Sequence, residues 1–283
     1  MTDSYALFFI NSALAEGDPT APLTLLLLFL GRILPIIAQA PFFGARVLPH
    51  PVKVAFGLSL FVIFLPHLLI VTKTPMVFSP ITVLYLIKEM VIGIFMGFLI
   101  AIPFMIVQMT GMYIDHQRGG ASLQVNDPTI QNQSSPMGTL LNMVMIVVFY
   151  MIDGPFLFLE TIHRSFEIIP PDRFFNMEFF TQNSFWETII GTLGYAVRIA
   201  VQLAGPALIA ILMSDVFLGI ANRLAPQVQI TFLGIALKSF IGLFIFTLGW
   251  SLLNKEAVRQ TYIWMREIEN MLLTIRNLFQ IYS

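Results

Sequence analysis

Cysteine is absent from the 283-residue chain, which excludes disulfides, thiolate metal sites and a cysteine nucleophile, and leaves the redox compartment open. Charge is scarce as well. Asp, Glu, Lys and Arg make up 11% of the residues, against about 25% in soluble domains. Fifteen Lys and Arg face 16 Asp and Glu, so there is no basic surplus of the kind that phosphate backbones attract, and no case for nucleic-acid binding. The four histidines, His50, His67, His116 and His163, lie far apart in sequence. None has the local spacing of a zinc site, so no metal or other cofactor is expected. Catalytic signatures are missing too: there is no Gly-x-Ser-x-Gly elbow, no His-Glu-x-x-His run and no phosphate-cradling Gly-Lys-Ser/Thr loop. Asp115 beside His116, with Ser122, Ser134 or Ser135, could be combined into an acid, a base and a nucleophile, but adjacency does not supply triad geometry. No enzymatic activity is expected.

What is abundant is apolar surface. Hydrophobic residues reach 57% and the mean hydropathy is +0.82. These values identify an integral membrane protein. Six apolar blocks start at Pro22, Val52, Ile81, Thr139, Thr188 and Ile230, each long enough to cross a hydrocarbon core of about 30 Å, which takes about twenty helical residues. No Lys or Arg precedes Arg32, so the start YALFFINSALAEGDP is not a secretory signal of the usual kind. The spacing predicts an all-α protein of about six long, kinked helices or helical hairpins over residues 1–254. Asp153, Gly154 and Pro155 should break the fourth block. After Asn254 the composition becomes mixed, and apolar positions at Val258, Tyr262, Met265, Ile268, Leu272, Ile275 and Leu278 predict an amphipathic helix over 255–283. That helix suits a membrane surface or a partner.

Four features carry functional information. The first is the polar stretch HQRGGASLQVNDPTIQNQSSPMG, about 116–138, because connectors between helices usually need only about two to eight residues. The second is charge inside or beside the apolar blocks: Arg32, Lys88, Glu89, Arg198, Asp215, Arg223 and Lys238. A charge facing lipid costs about 2.5–3.5 kcal/mol, so these residues should face protein or water, as assembly salt bridges or as an ion path. Lys88 and Glu89 are neighbours that point about 100° apart on a helix, and are expected to have different partners. The third is the GxxxG spacing of Gly93 and Gly97, which lets another helix come close; Gly191, Gly194 and Gly205 also offer small surfaces. Met105, Met109 and Met112 share one helical face just before the polar stretch. Unbranched thioethers there suit ordinary packing or a deformable channel lining.

Four stretches together resemble the SctT/FliR family of the type III secretion export apparatus: GRILPIIAQAPFFGARVLPHPVKVAFGLSL, KEMVIGIFMGF, GMYIDHQRGGASLQVNDPTIQNQSSPMGTLL and GPALIAILMSDVFLGIANRLAPQVQITFLGIALK. The intact GlnArgGly and SerSerPro elements favour the injectisome branch. The resemblance implies a multi-pass protein of the bacterial inner membrane, in a pseudo-helical hetero-oligomeric export gate with R, S and U subunits, in contact with membrane lipid and with unfolded protein substrates in transit. It also implies a plug loop that obstructs the channel at rest, with Arg118, Gly119, Gly120, Asn126, Asp127, Pro128, Gln131, Asn132, Gln133, Ser134, Ser135 and Pro136 as its residues. The AspPro and SerSerPro corners are expected to hold it closed. The residues alone leave one alternative of another class, an ion-coupled secondary transporter of small solutes, suggested by Arg32, Glu89, Arg198 and Lys238 within broken helices.

Overall fold

A computed structural model describes residues 19–43, 49–74, 78–119, 135–174, 183–224 and 230–280. Among them the regular structure is helical throughout: α1 (Ala21–Gln39), a 3-10 turn (Pro41–Phe43), α2 (His50–Val71), α3 (Pro80–Gln117), α4 (Pro136–Met151), α5 (Gly154–Ile168), α6 (Asn183–Leu224), α7 (Ile230–Leu248) and α8 (Trp250–Gln280). Four of these, α1, α2, α3 and Ile189–Leu224 of α6, are long and apolar enough to span a membrane. Two broken pairs, α4 with α5 and α7 with α8, bring the number to six if each pair is one span. The chain is therefore an all-α multi-pass membrane protein.

Several boundaries differ from the sequence reading. α3 has 38 residues, about 57 Å at 1.5 Å per residue, and continues through Asp115 and His116 to Gln117. Pro103 lies inside it. The polar stretch is accordingly shorter than 116–138, because its first two residues end α3 and Pro136 starts α4. The amphipathic tail is the later part of a helix that begins at Trp250, and its buried stripe is Ala257, Thr261, Trp264 and Ile268. Tyr262, expected on that stripe, is exposed; Met265, Leu272, Ile275 and Leu278 lie outside the residues whose side chains are described. The break between α4 and α5 falls at Asp153, whose φ of 59° is left-handed. Asp tolerates that conformation better than most residues, and Gly154 and Pro155 then start α5.

Contacts divide the chain into two compact units, one within Met1–Ala101, Asp153–Trp186 and Tyr262–Ser283, the other within Ile102–Ile152 and Glu187–Thr261. In the first, the buried face of α1 recurs at helical spacing through Leu25, Leu28, Phe29, Arg32, Ile33 and Ile36. Phe29 stacks on Phe166 of α5 at 5.4 Å and meets Phe61 of α2 edge-on at 5.5 Å. Between membrane-spanning helices such contacts stabilise through close van der Waals packing rather than through removal from water. α1 crosses α3 at two glycines. A Cβ on Gly93 would lie 2.2 Å from the Arg32 carbonyl oxygen, and one on Gly97 would lie 3.1 Å from the Ile36 Cα, so the backbones meet where side chains would forbid it.

In the second unit, Phe104 of α3 meets Phe149 of α4 at 5.5 Å. The Thr110 hydroxyl bonds back to the Ile106 carbonyl at 2.9 Å and lies 3.3 Å from the Ala200 carbonyl of α6. The closest approach is again at glycine, where a Cβ on Gly111 would stand 2.4 Å from the Gly138 nitrogen of α4. Gly191, Gly194 and Gly205, by contrast, would meet nothing within 4 Å. Their faces are open among the described residues.

Candidate functional site

The charges of the first unit converge on one network. Arg32 on α1 and Glu89 on α3 are fully buried, and Lys88 is 4% exposed. The Arg32 guanidinium donates Nη2–H to Glu89 Oε1 at 2.9 Å and Nε–H to Oε2. It also donates to Ser165 Oγ at 3.2 Å and to the Ile169 carbonyl at 2.7 Å. Four of its five N–H groups are thereby used, and its Cζ lies 4.0 Å above the Phe166 ring. This planar fork, stacked on an aromatic face, is a geometry that arginine supplies and lysine does not.

Lys88 and Glu89 do not have wholly separate partners, contrary to the expectation from helical geometry. Lys88 Nζ lies 2.8 Å from Glu89 Oε1, because a four-carbon stem can fold back across the turn. The same ammonium donates to the carbonyls of Pro170, Pro171 and Arg173 at 2.9, 3.2 and 2.9 Å. These carbonyls follow α5, so Lys88 fastens the segment leaving that helix. Asp172, on that segment and also buried, accepts on Oδ2 from the Lys73 and Thr74 amides at 3.0 and 3.1 Å and from the Thr74 hydroxyl at 3.0 Å. Sequence reasoning missed Asp172 and Ser165. The ProProAspArg run that follows α5 carried no recognisable motif, and only the fold brings it against Lys88.

Charges of the second unit are arranged otherwise. Asp215 on α6 pairs with Lys238 on α7, both half-buried. Arg198 and Arg223, expected to be covered, are exposed in this chain. Met105 is 38% exposed, and Met109 and Met112 are half-buried on the same face of α3.

The two ends of the polar stretch meet on a single carboxylate. Asp115, buried in the last turn of α3, accepts from Arg118 on Oδ1. Its Oδ2 accepts from the Ser135 hydroxyl and, at 2.9 Å, from the Met137 amide. Ser135 in turn caps α4, its Oγ accepting from the Gly138 amide at 2.9 Å; such a cap contributes about 1 kcal/mol. The stem of Arg118 packs on α7, where a Cβ on Gly242 would lie 3.2 Å from its Cδ. Gly119 has a φ of 92° and turns the chain away from α3. Arg118, Gly119, Ser135 and Pro136 are thus placed, whereas Gly120, Asn126, Asp127, Pro128, Gln131, Asn132, Gln133 and Ser134 lie outside the described residues. Asp115, the hub of this clasp, had no place among the residues expected to hold the loop. The clue was its pairing with Arg118 at i, i+3, which a helix extended to Gln117 makes possible.

Long apolar helices, broken at Asp153 and around Gly249, with Arg32, Lys88 and Glu89 paired inside the protein, define a helical membrane protein. The chain belongs to the bacterial export proteins, family 1, whose model matches residues 23–261. It is similar to the surface presentation of antigens protein SpaR of Shigella flexneri, 33% identical over 56% of this chain and 59% of that protein. The Yop proteins translocation protein T of Yersinia pestis is 30% identical over 54% of this chain and 58% of that protein. The flagellar biosynthetic protein FliR of Bacillus subtilis is 28% identical over 78% of this chain and 84% of that protein. The match thus spans a little under three-fifths of the Shigella and Yersinia relatives and most of the Bacillus one.

Proposed function

We propose that this chain is a non-enzymatic pore and gate component of the type III protein export apparatus in the bacterial inner membrane. It assembles with R, S and U subunits and helps form and close the channel for unfolded substrates. Family membership and the names of the secretion and flagellar relatives support the export role. The observation that carries the gate is the clasp: Asp115 gathers Arg118, Ser135 and Met137, so both ends of the polar stretch are pinned beside α3. Fastening both ends beside α3 keeps the helices in place while the segment between them opens, since local opening can leave the rest of a fold intact. In this reading residues 118–135 are the plug, and Met105, Met109 and Met112 offer the adaptable surface that varied segments pass. The buried network of Arg32, Lys88 and Glu89 serves structure, joining α1, α3 and the segment after α5. Its groups are already satisfied by protein, which supports a structural role over the ion path that a secondary transporter needs.

The test is deletion of Arg118–Ser135 with a short glycine bridge. Complexes should still assemble with their heterologous partners, while the membrane becomes permeable to small ions. An assembled complex that leaves the membrane tight would count against the plug.

A further inference from the structure

Two of the four histidines, nearly a hundred residues apart in sequence, are brought together by the packing of α2 against α5. The rings of His67 and His163 lie 3.6 Å apart between centroids, with their planes inclined by 31°. Glu167 follows His163 by one helical turn, and its Oε1 is 3.6 Å from His163 Nε2. One ligand atom from each of the three residues falls within 4.8 Å of the others. The expectation that scattered histidines hold no metal rested on spacing along the chain. Spacing in the fold is different.

Three further observations bear on what this cluster holds. Ring nitrogens in such proximity repel one another when both imidazoles are protonated, whereas a cation shared between neutral rings turns the same proximity into attraction. His67 Nε2 is buried and has no hydrogen-bond partner among the described residues, an arrangement that burial ordinarily penalises. Finally, the cluster opens outward: Phe64 lies behind His163 with ring centroids 6.3 Å apart, while the Glu167 side chain is 52% exposed. An ion can enter from that side.

We propose that His67, His163 and Glu167 bind one divalent transition-metal ion, of the class to which Zn2+ belongs, and that the ion braces α2 against α5. Two imidazoles and a carboxylate suit such a cation, and neutral imidazole is its usual nitrogen ligand. At metal–ligand distances of about 2.0–2.2 Å, ligand atoms around a tetrahedral ion stand about 3.4 Å apart. His163 and Glu167, one turn apart on α5, already have nearly that separation, and a ring nitrogen of His67 on α2 lies within 4.8 Å of both, a distance that side-chain rotation has to close. The fourth position stays open to water or to a donor from another chain. Two neutral rings and one carboxylate supply a single negative charge, so the ion keeps net positive charge that favours water or an anionic donor at the open position. The ion ties the last turns of α2 and α5 together beside the point where Asp172 holds Lys73 and Thr74.

The experiment uses the full chain in mild detergent, stripped with a chelator and titrated with Zn2+, and in parallel with Co2+, whose visible absorption reports the geometry of its ligands. The expected result is one ion per chain and a four- or five-coordinate cobalt spectrum. His67→Gln and His163→Gln should each weaken binding by at least tenfold, and Glu167→Gln by less. His50→Gln with His116→Gln should leave it unchanged. Helicity and elution volume of each variant establish that it is folded, and the cobalt spectrum of the unaltered chain requires no variant at all. A six-coordinate, water-like cobalt spectrum, or zinc binding that survives the paired His67→Gln and His163→Gln substitutions, would overturn the site.

Discussion

The charge network around Arg32 and the clasp around Asp115 both place acids and bases inside an apolar protein, yet they are built on opposite plans. Arg32, Lys88 and Glu89 join α1, α3 and the segment after α5, sites separated by more than fifty residues, and their partners are buried carboxylates and carbonyls. Asp115 works over a short range: its partners stand three, twenty and twenty-two residues away, all at the two ends of one loop. Removing one partner of the first arrangement strands a buried charge among three elements. Removing one partner of the second should loosen only the root of the loop, where α3 ends and α4 begins. The difference separates what must hold the fold from what can be released while the fold stays intact.

Substitutions sharpen this contrast in a definite order. Glu89→Leu should have the largest effect, because breaking a buried pair by removing one partner costs about 3–5 kcal/mol, here with Arg32 and Lys88 both left unneutralised. The yield of folded chain and its unfolding temperature in detergent measure it; a protein as stable as the unaltered one would remove the network from the account. Gly93→Ala comes next, at about 1–3 kcal/mol for overpacking, since the added carbon meets the Arg32 carbonyl oxygen, a backbone atom that cannot rotate aside. Gly191→Ala is its control. With nothing within 4 Å there, the change should be neutral or stabilising by up to about 1 kcal/mol.

The clasp should respond less, and locally. Asp115→Asn weakens hydrogen bonds made to a charged acceptor, each worth about 1.5–3 kcal/mol, and should raise amide exchange at Met137 and Gly138 while the unfolding temperature moves little. Loss of the whole fold on this substitution would erase the contrast with Glu89. Ser135→Ala removes the cap of α4 and should cost about 1 kcal/mol, read as faster exchange of the Gly138 amide alone.

The helical class, the membrane-spanning blocks and the break at Asp153 were legible because they depend on composition and on local chemistry. Apolar runs of spanning length admit few other structures, and Asp-Gly-Pro combines a residue that tolerates left-handed φ with a proline suited to a helix start. The close crossing at Gly93 and Gly97 could be anticipated as a motif, but equal-looking glycines at 191, 194 and 205 meet nothing within 4 Å among the described residues, and nothing local distinguishes the two sets. Partners were harder still. Lys88 meets the carbonyls beyond α5 only because α5 folds back on α1, and Asp115 becomes a hub only because α3 runs on through it to Gln117. The polar stretch drew attention through its composition, while the residue that gathers its ends sits in the helix before it.

Ion permeability of membranes carrying the assembled complex, compared between the unaltered chain and Asp115→Asn, tests the central claim most directly. The substitution should leave complex yield unchanged and make the membrane leak. Equal assembly with an equally tight membrane would contradict it.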